Sequence, residues 1–170
     1  MLVIDASVLV DALLLAGQAR ARLASDNLQA PELIDAELLS VLRRLVLADK
    51  LQEGHALQAL ATANRLGLRR HPSRTLWPRA WELRTNLSAY DALYVALAEQ
   101  LQAPMLTADA RIARAPGLRC SVEVLSDQQP GGAHPGGSTP AGLRFRDGSG
   151  VSDDFLAERA DQDQAEREAF

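Results

Sequence analysis

One cysteine, Cys120, and one lysine, Lys50, stand among 170 residues. A lone thiol excludes an internal disulfide framework and a cysteine-built zinc cluster, and it fits a reducing, cytoplasmic setting. Aromatic residues make up 4%, which argues against a broad base-stacking surface. Trp77 and Trp81 are therefore read as core or dimer-contact residues, and Cys120 as a small buried hydrophobe. No apolar run approaches the length of a membrane span. The opening MLVIDASVLV carries no positive n-region, so no export signal is expected. His55, His71 and His134 are scattered and read as surface residues rather than ligands or bases.

What is present is an ordinary globular composition, 47% hydrophobic and 24% charged. The net charge of −4 is unevenly divided. Residues 1–129 hold 14 basic and 14 acidic side chains, whereas residues 130–170 hold 4 and 8. Acidity thus belongs to the end of the chain. Within the neutral part lies a basic run, RLGLRRHPSRTLWPRAWELR. It reads as a solvated helix face with its flanking loop, or as a phosphate-binding rim with Arg69, Arg70 and Arg74 as phosphate-contacting candidates.

Along residues 1–129, short apolar runs alternate with amphipathic stretches. MLVID, LQAPELI, APMLTAD and RCSVEVL read as strands, and LRRHPS as a short strand or loop. SVLVDALLLAG, QARARLAS, DAELLSVLRRLVLADKL, EGHALQALATANRLG and SAYDALYVALAEQL read as helices, with a shorter one at ARIARA. This alternation implies an α/β domain with a central, mainly parallel sheet wrapped by helices. Residues 130–150 are too rich in Gly and Pro to build a core and read as a linker. Residues 151–170 form an acidic segment of helix-forming composition, making a flexible C-terminal tail.

Asp91 is the residue that does not fit its surroundings. It lies among Ala92, Leu93, Val95 and Ala96 on a face expected to be buried. Ser88 and Asp91 have capping-box spacing, so local service to the helix terminus is the simplest reading. Asp5, Glu37 and Asp109 have similar local readings. Jointly they are less comfortable, because carboxyl ends of parallel strands lie on one edge, where sites form at the switch point. Four converging carboxylates repel unless a cation is present. Oxygen donors alone match a hard ion, Mg²⁺ or Mn²⁺, able to activate water against a phosphodiester. Ser7 and Thr107, each two residues from an acid, are candidates to orient that shell by hydrogen bonds.

Four segments, IDASVLVDALL, PELIDAELLSVLRRL, SAYDALYVALAEQL and LTADARIARA, occur in the order found in the PIN-domain nucleases. The chain resembles that family over residues 1 to about 127, and most closely its VapC toxin branch. The resemblance implies a PIN-like fold and a metal-dependent endoribonuclease, with Asp5, Glu37, Asp91 and Asp109 as its acids and Asp5 and Asp91 as the central metal ligands. It also implies RNA as substrate, a cognate antitoxin partner and a homodimer. A non-catalytic PIN-like binding protein is the alternative. A phosphorylated receiver or phosphotransferase fits poorly, because Lys50 is far along the chain from any strand end. The tail is the departure from the family, and Arg144 or Arg146 is a candidate to dock on the acids as an antitoxin segment would.

Overall fold

In the computed structural model, which describes residues 1–15, 17–25 and 27–125, the opening apolar run becomes β1 (Leu2–Ile4). All three of its side chains are buried. The burial follows from its place in the sheet, since β1 is the middle strand of five. β2 (Leu28–Pro31) and β4 (Met105–Thr107) flank it, and β3 (Arg69–His71) and β5 (Val122–Val124) form the edges. Every pairing is parallel, with Leu2 opposite Leu28 and Val3 opposite Met105. Strands buried on both faces need continuous apolar runs rather than alternation, and LVI and MLT supply them.

The helices are α1 (Ala6–Leu14), α2 (Gln18–Ser25), α3 (Ile34–Leu47), α4 (Glu53–Arg65), α5 (Trp77–Glu82), α6 (Ala89–Leu101) and α7 (Ala110–Ala113). A 3-10 turn, Ser73–Leu76, leads into α5, and Pro78 sits in its first turn, where a missing N–H costs nothing. α6 rests on β1, β2 and β4. Its buried face is Ala92, Val95, Ala96, Leu97 and Ala98, and the small residues let helix and sheet approach closely. Each fully buried Val or Leu there contributes about 2 kcal/mol. The compact unit holding the sheet runs Met1–Ser126. The linker and acidic tail expected over 130–150 and 151–170 lie outside the described residues, as do Arg144, Arg146 and His134.

The path of the chain positions a site. From β1 it moves outward through β2 to β3, then crosses back to β4 on the other side of β1. The switch point is therefore at the carboxyl ends of β1 and β4.

The opposite end of the α5–α6 pair is held by ions. Arg79 Nε donates to Glu99 Oε2 at 2.6 Å and its Nη2 to Oε1 at 3.1 Å, while Arg119 N–H also donates to Glu99 at 2.8 Å. Burial opposes ionisation of Glu99, but these bonds outweigh it and hold its pKa below the ordinary value. Glu99→Gln is expected to cost about 2 kcal/mol at neutral pH, because Arg79 keeps its charge in a half-closed site. A depressed carboxylate pKa stabilises above the unfolded value and loses that effect as pH falls through the folded one. Urea unfolding of the two proteins should therefore converge in acid and separate at neutral pH.

Three residues are not buried as a core reading of the sequence expected. Trp77 and Trp81 are exposed, and α5 has no buried residue at all. Cys120 precedes β5 and is only partly buried, with its thiol pKa pushed up chiefly by that burial.

Candidate active site at the sheet's switch point

Asp5 follows β1 directly and is the N-cap of α1. Its Oδ1 accepts from Val8 N–H at 3.0 Å and from Ser7 Oγ at 2.6 Å. Its Oδ2 accepts from Thr107 Oγ1, the last residue of β4. Thr107 is fully buried, and its hydroxyl in turn accepts from Asp109 N–H at 2.9 Å. Ser7 Oγ accepts from Ala108 N–H at 3.1 Å. Ser7 and Thr107 thus tie the ends of β1 and β4 together around one carboxylate. Thr107 serves Asp5 from the neighbouring strand, with its side chain, and Asp109 beside it.

Asp91 enters from the first turn of α6. Ser88 accepts from its N–H at 3.2 Å and donates to its Oδ2 at 2.7 Å. The cap expected from the spacing is present, yet the carboxylate is also 9% exposed among apolar neighbours. Its pKa is pushed up to about 6, first by burial and then by the charges of Asp5 and Asp109, against the opposing bond from Ser88 and the charge of Arg111. That coupling places Asp5, Asp91 and Asp109 within electrostatic reach of one another on one edge.

Glu37, in the first turn of α3, is also buried and accepts a hydrogen bond from Tyr94 Oη. Tyr94 is held in its phenol form above all by burial, with Asp5 and Asp91 adding to the effect. Its hydroxyl thus links α6 to the α3 acid. Asp35, two residues earlier on α3, turns the other way and is gripped by Arg70 through Nε at 2.7 Å and Nη2 at 2.8 Å. Asp109 is the N-cap of α7, accepting from Arg111 N–H at 2.8 Å and pairing with the Arg111 guanidinium at 3.1 Å.

Tyr94 and Arg111 are the contributors that sequence reasoning passed over. Tyr94 lies three residues after Asp91, so both point to one helix face. Arg111 lies two after Asp109, within reach of its own cap. Of the candidate rim, Arg69 is exposed on the edge strand, Arg70 is committed to Asp35, and Arg74 lies over Trp77.

The donor chemistry fits a hard divalent cation. The acids supply oxygen only, three of them are buried, and burial with mutual repulsion already resists ionisation of one. Among the described residues, no three carboxylate, imidazole or thiolate side chains are gathered at the spacing that holds a metal ion. A cleft of about 710 Å³ lies elsewhere, at the amino ends of β4 and β5, with Pro104, Cys120 and Ser121 in its wall. None of Asp5, Glu37, Asp91 and Asp109 lines it.

Thr107→Val removes the donor to Asp5 and the acceptor for Asp109 N–H while keeping the shape of the side chain. If Asp5 holds a metal ion, activity is expected to fall about 10- to 100-fold. Thr107→Ser should restore it. Calorimetric Mn²⁺ titration of the three proteins should follow the same order, which a purely structural role would not produce.

A family model described as PIN domain matches residues 2–118. Ribonuclease VapC9 of Mycobacterium tuberculosis is 46% identical over 125 residues, covering 74% of this chain and 98% of that protein. Ribonuclease VapC1 of the same organism is 44% identical over 128 residues, covering 72% and 96%. Among solved structures, VapBC2 from Rickettsia felis, bound to a DNA fragment from its promoter, aligns with a TM-score of 0.56. It is 14% identical and covers 72% of this chain and 97% of that one, a likeness of fold alone.

Proposed function

The chain belongs to the PIN-domain family, and from that premise we propose that it is a VapC-type endoribonuclease, the toxin of a toxin–antitoxin pair. It hydrolyses RNA phosphodiester bonds at the acid edge between β1 and β4. The observation that carries this reading is Asp91, a buried carboxylate set against Asp5 and Asp109 at the switch point of the sheet. A helix cap alone needs neither the burial nor the company.

Asp5 and Asp91 are the principal ligands of a Mg²⁺ or Mn²⁺ ion, with Glu37 and Asp109 completing the acidic shell. When bound, such an ion lowers the pKa of a water and stabilises charge on the scissile phosphate. Ser7 and Thr107 hold Asp5 so that both of its oxygens are fixed before substrate arrives. Tyr94 does the same for Glu37. Arg111, exposed beside Asp109, supplies positive charge at the mouth of the site.

The protein acts in the cytoplasm. Among the described residues no helix is long and apolar enough to cross a membrane. The antitoxin and a second copy need apolar surface to bind, and Leu39 and Leu47 on α3 and Leu57 on α4 are each more than half exposed. The substrate class is tested by incubating the full chain with mixed structured RNA and, separately, with single- and double-stranded DNA. Discrete RNA fragments with intact DNA support the reading. Cleaved DNA with intact RNA contradicts it.

A further inference from the structure

Both tryptophans of the chain face solvent on one helix turn. Trp77 is 58% and Trp81 70% exposed, and at i, i+4 they share a face of α5. Arg74 lies over the Trp77 ring, 5.9 Å from its centroid. Arg84 lies over Trp81 at 5.1 Å and donates Nη1 to the Trp81 carbonyl at 2.9 Å. The neighbouring arginines are spent on carboxylates, Arg70 on Asp35 and Arg79 on Glu82 and Glu99. Among the described residues, Arg74 and Arg84 have no such partner. Two indoles are thus left in water, each with an exposed guanidinium beside it that no carboxylate engages.

We propose that the Arg74–Trp77 and Trp81–Arg84 stacks form a platform for single-stranded RNA. The proposal rests on the ribonuclease reading and extends it from the acid edge to a surface that grips substrate. Unpaired bases offer π-faces to exposed indoles, and sequence-tolerant binding follows because every base has such a face. The guanidiniums, held by cation–π contact rather than by carboxylates, keep their full charge for phosphate oxygens. Base-paired RNA hides those faces, so the platform selects loops and single strands. A second copy of the chain is a poorer occupant. A two-fold contact through this face would set Arg74 and Arg84 of each copy against those of the other. Glu82, the acid of α5, is already engaged by Arg79 and Arg119.

Because the chain has two tryptophans and both lie here, its intrinsic indole fluorescence reports on this surface alone. The test titrates a dye-labelled single-stranded oligoribonucleotide into the full chain in EDTA, following indole quenching and dye anisotropy together. Saturable quenching that tracks the anisotropy is expected. The double substitution Trp77→Ala/Trp81→Ala should weaken binding on the order of tenfold or more. Arg74→Gln/Arg84→Gln should keep the quenching, bind several-fold more weakly and lose about two counterions from the salt dependence. All four positions are exposed, and thermal melts check that the variants fold. Unchanged affinity in the tryptophan variant overturns the platform while leaving the ribonuclease reading in place. So does RNA that is cleaved in Mg²⁺ without quenching. A dimer that the same variant converts to monomer, seen by light scattering, assigns the face to a second copy and overturns the proposal. RNA neither bound nor cleaved rejects the ribonuclease reading itself.

Discussion

Metal-free Asp91→Asn is expected to be more stable than the wild-type protein at neutral pH and inactive on RNA. In the folded chain the Asp91 carboxyl is pushed from 3.8 to about 6, and at ~1.4 kcal/mol per pKa unit this is an offset of about 3 kcal/mol. A carboxyl raised on folding favours the folded state below its unfolded pKa and loses that advantage as pH rises through the folded value. The wild-type protein therefore gives up about 3 kcal/mol between roughly pH 4 and pH 7. Asparagine removes the titration and still accepts the bond from Ser88 Oγ. Urea unfolding across that range should show the two proteins diverging from about pH 4 upward, the variant on top. Adding Mg²⁺ should narrow the gap by stabilising only the wild-type site. Loss of cleavage should reach on the order of a thousandfold, the several kcal/mol that metal-assisted charge stabilisation provides. A variant less stable than wild type at every pH would show that Asp91 serves its helix rather than a site.

Asp5→Ala should match that loss of activity with the opposite change in stability. Asp5 accepts from Ser7 Oγ, Val8 N–H and Thr107 Oγ1. Its removal deletes the cap of α1, worth about 1 kcal/mol. It also strands a fully buried threonine hydroxyl, worth a further 1–2 kcal/mol or so. Chemical denaturation at pH 7 should place the variant about 2–3 kcal/mol below wild type. Because Asp5 is one of the charges raising Asp91, the same substitution should lower the Asp91 pKa, measurable by carbon-detected NMR titration of its carboxyl. Two acids of one site would then be equally needed for cleavage and opposed in their effect on folding. Asp5 is embedded in donors, whereas Asp91 is buried beside other carboxylates that oppose its charge.

These contrasts explain how far the chain could be read without coordinates. The strand runs LVI and MLT were legible because strands buried on both faces leave little choice of residue. The acids that end them were legible because a helix follows at once and must be capped. Family resemblance, not periodicity, singled out Glu37 over Asp35. Both open the same helix, and only the approach of Arg70 from β3 shows that Asp35 faces outward. Tyr94 was hidden for a related reason. Its ring looks like core on α6, and its bond to Glu37 spans 57 residues of sequence. Trp77 and Trp81 were read as core or dimer contact, and which of these holds depends on α5 having no buried residue. Cys120 was misplaced into a strand because β5 begins two residues later.

The central claim is a cation-dependent ribonuclease site built on Asp5 and Asp91. The most direct test is cleavage of a mixed structured RNA pool by the full chain in Mg²⁺, in EDTA, and with Asp91→Asn in Mg²⁺. Cleavage in the first condition alone is the predicted result. Equal cleavage in EDTA, or by a folded Asp91→Asn protein, would contradict it.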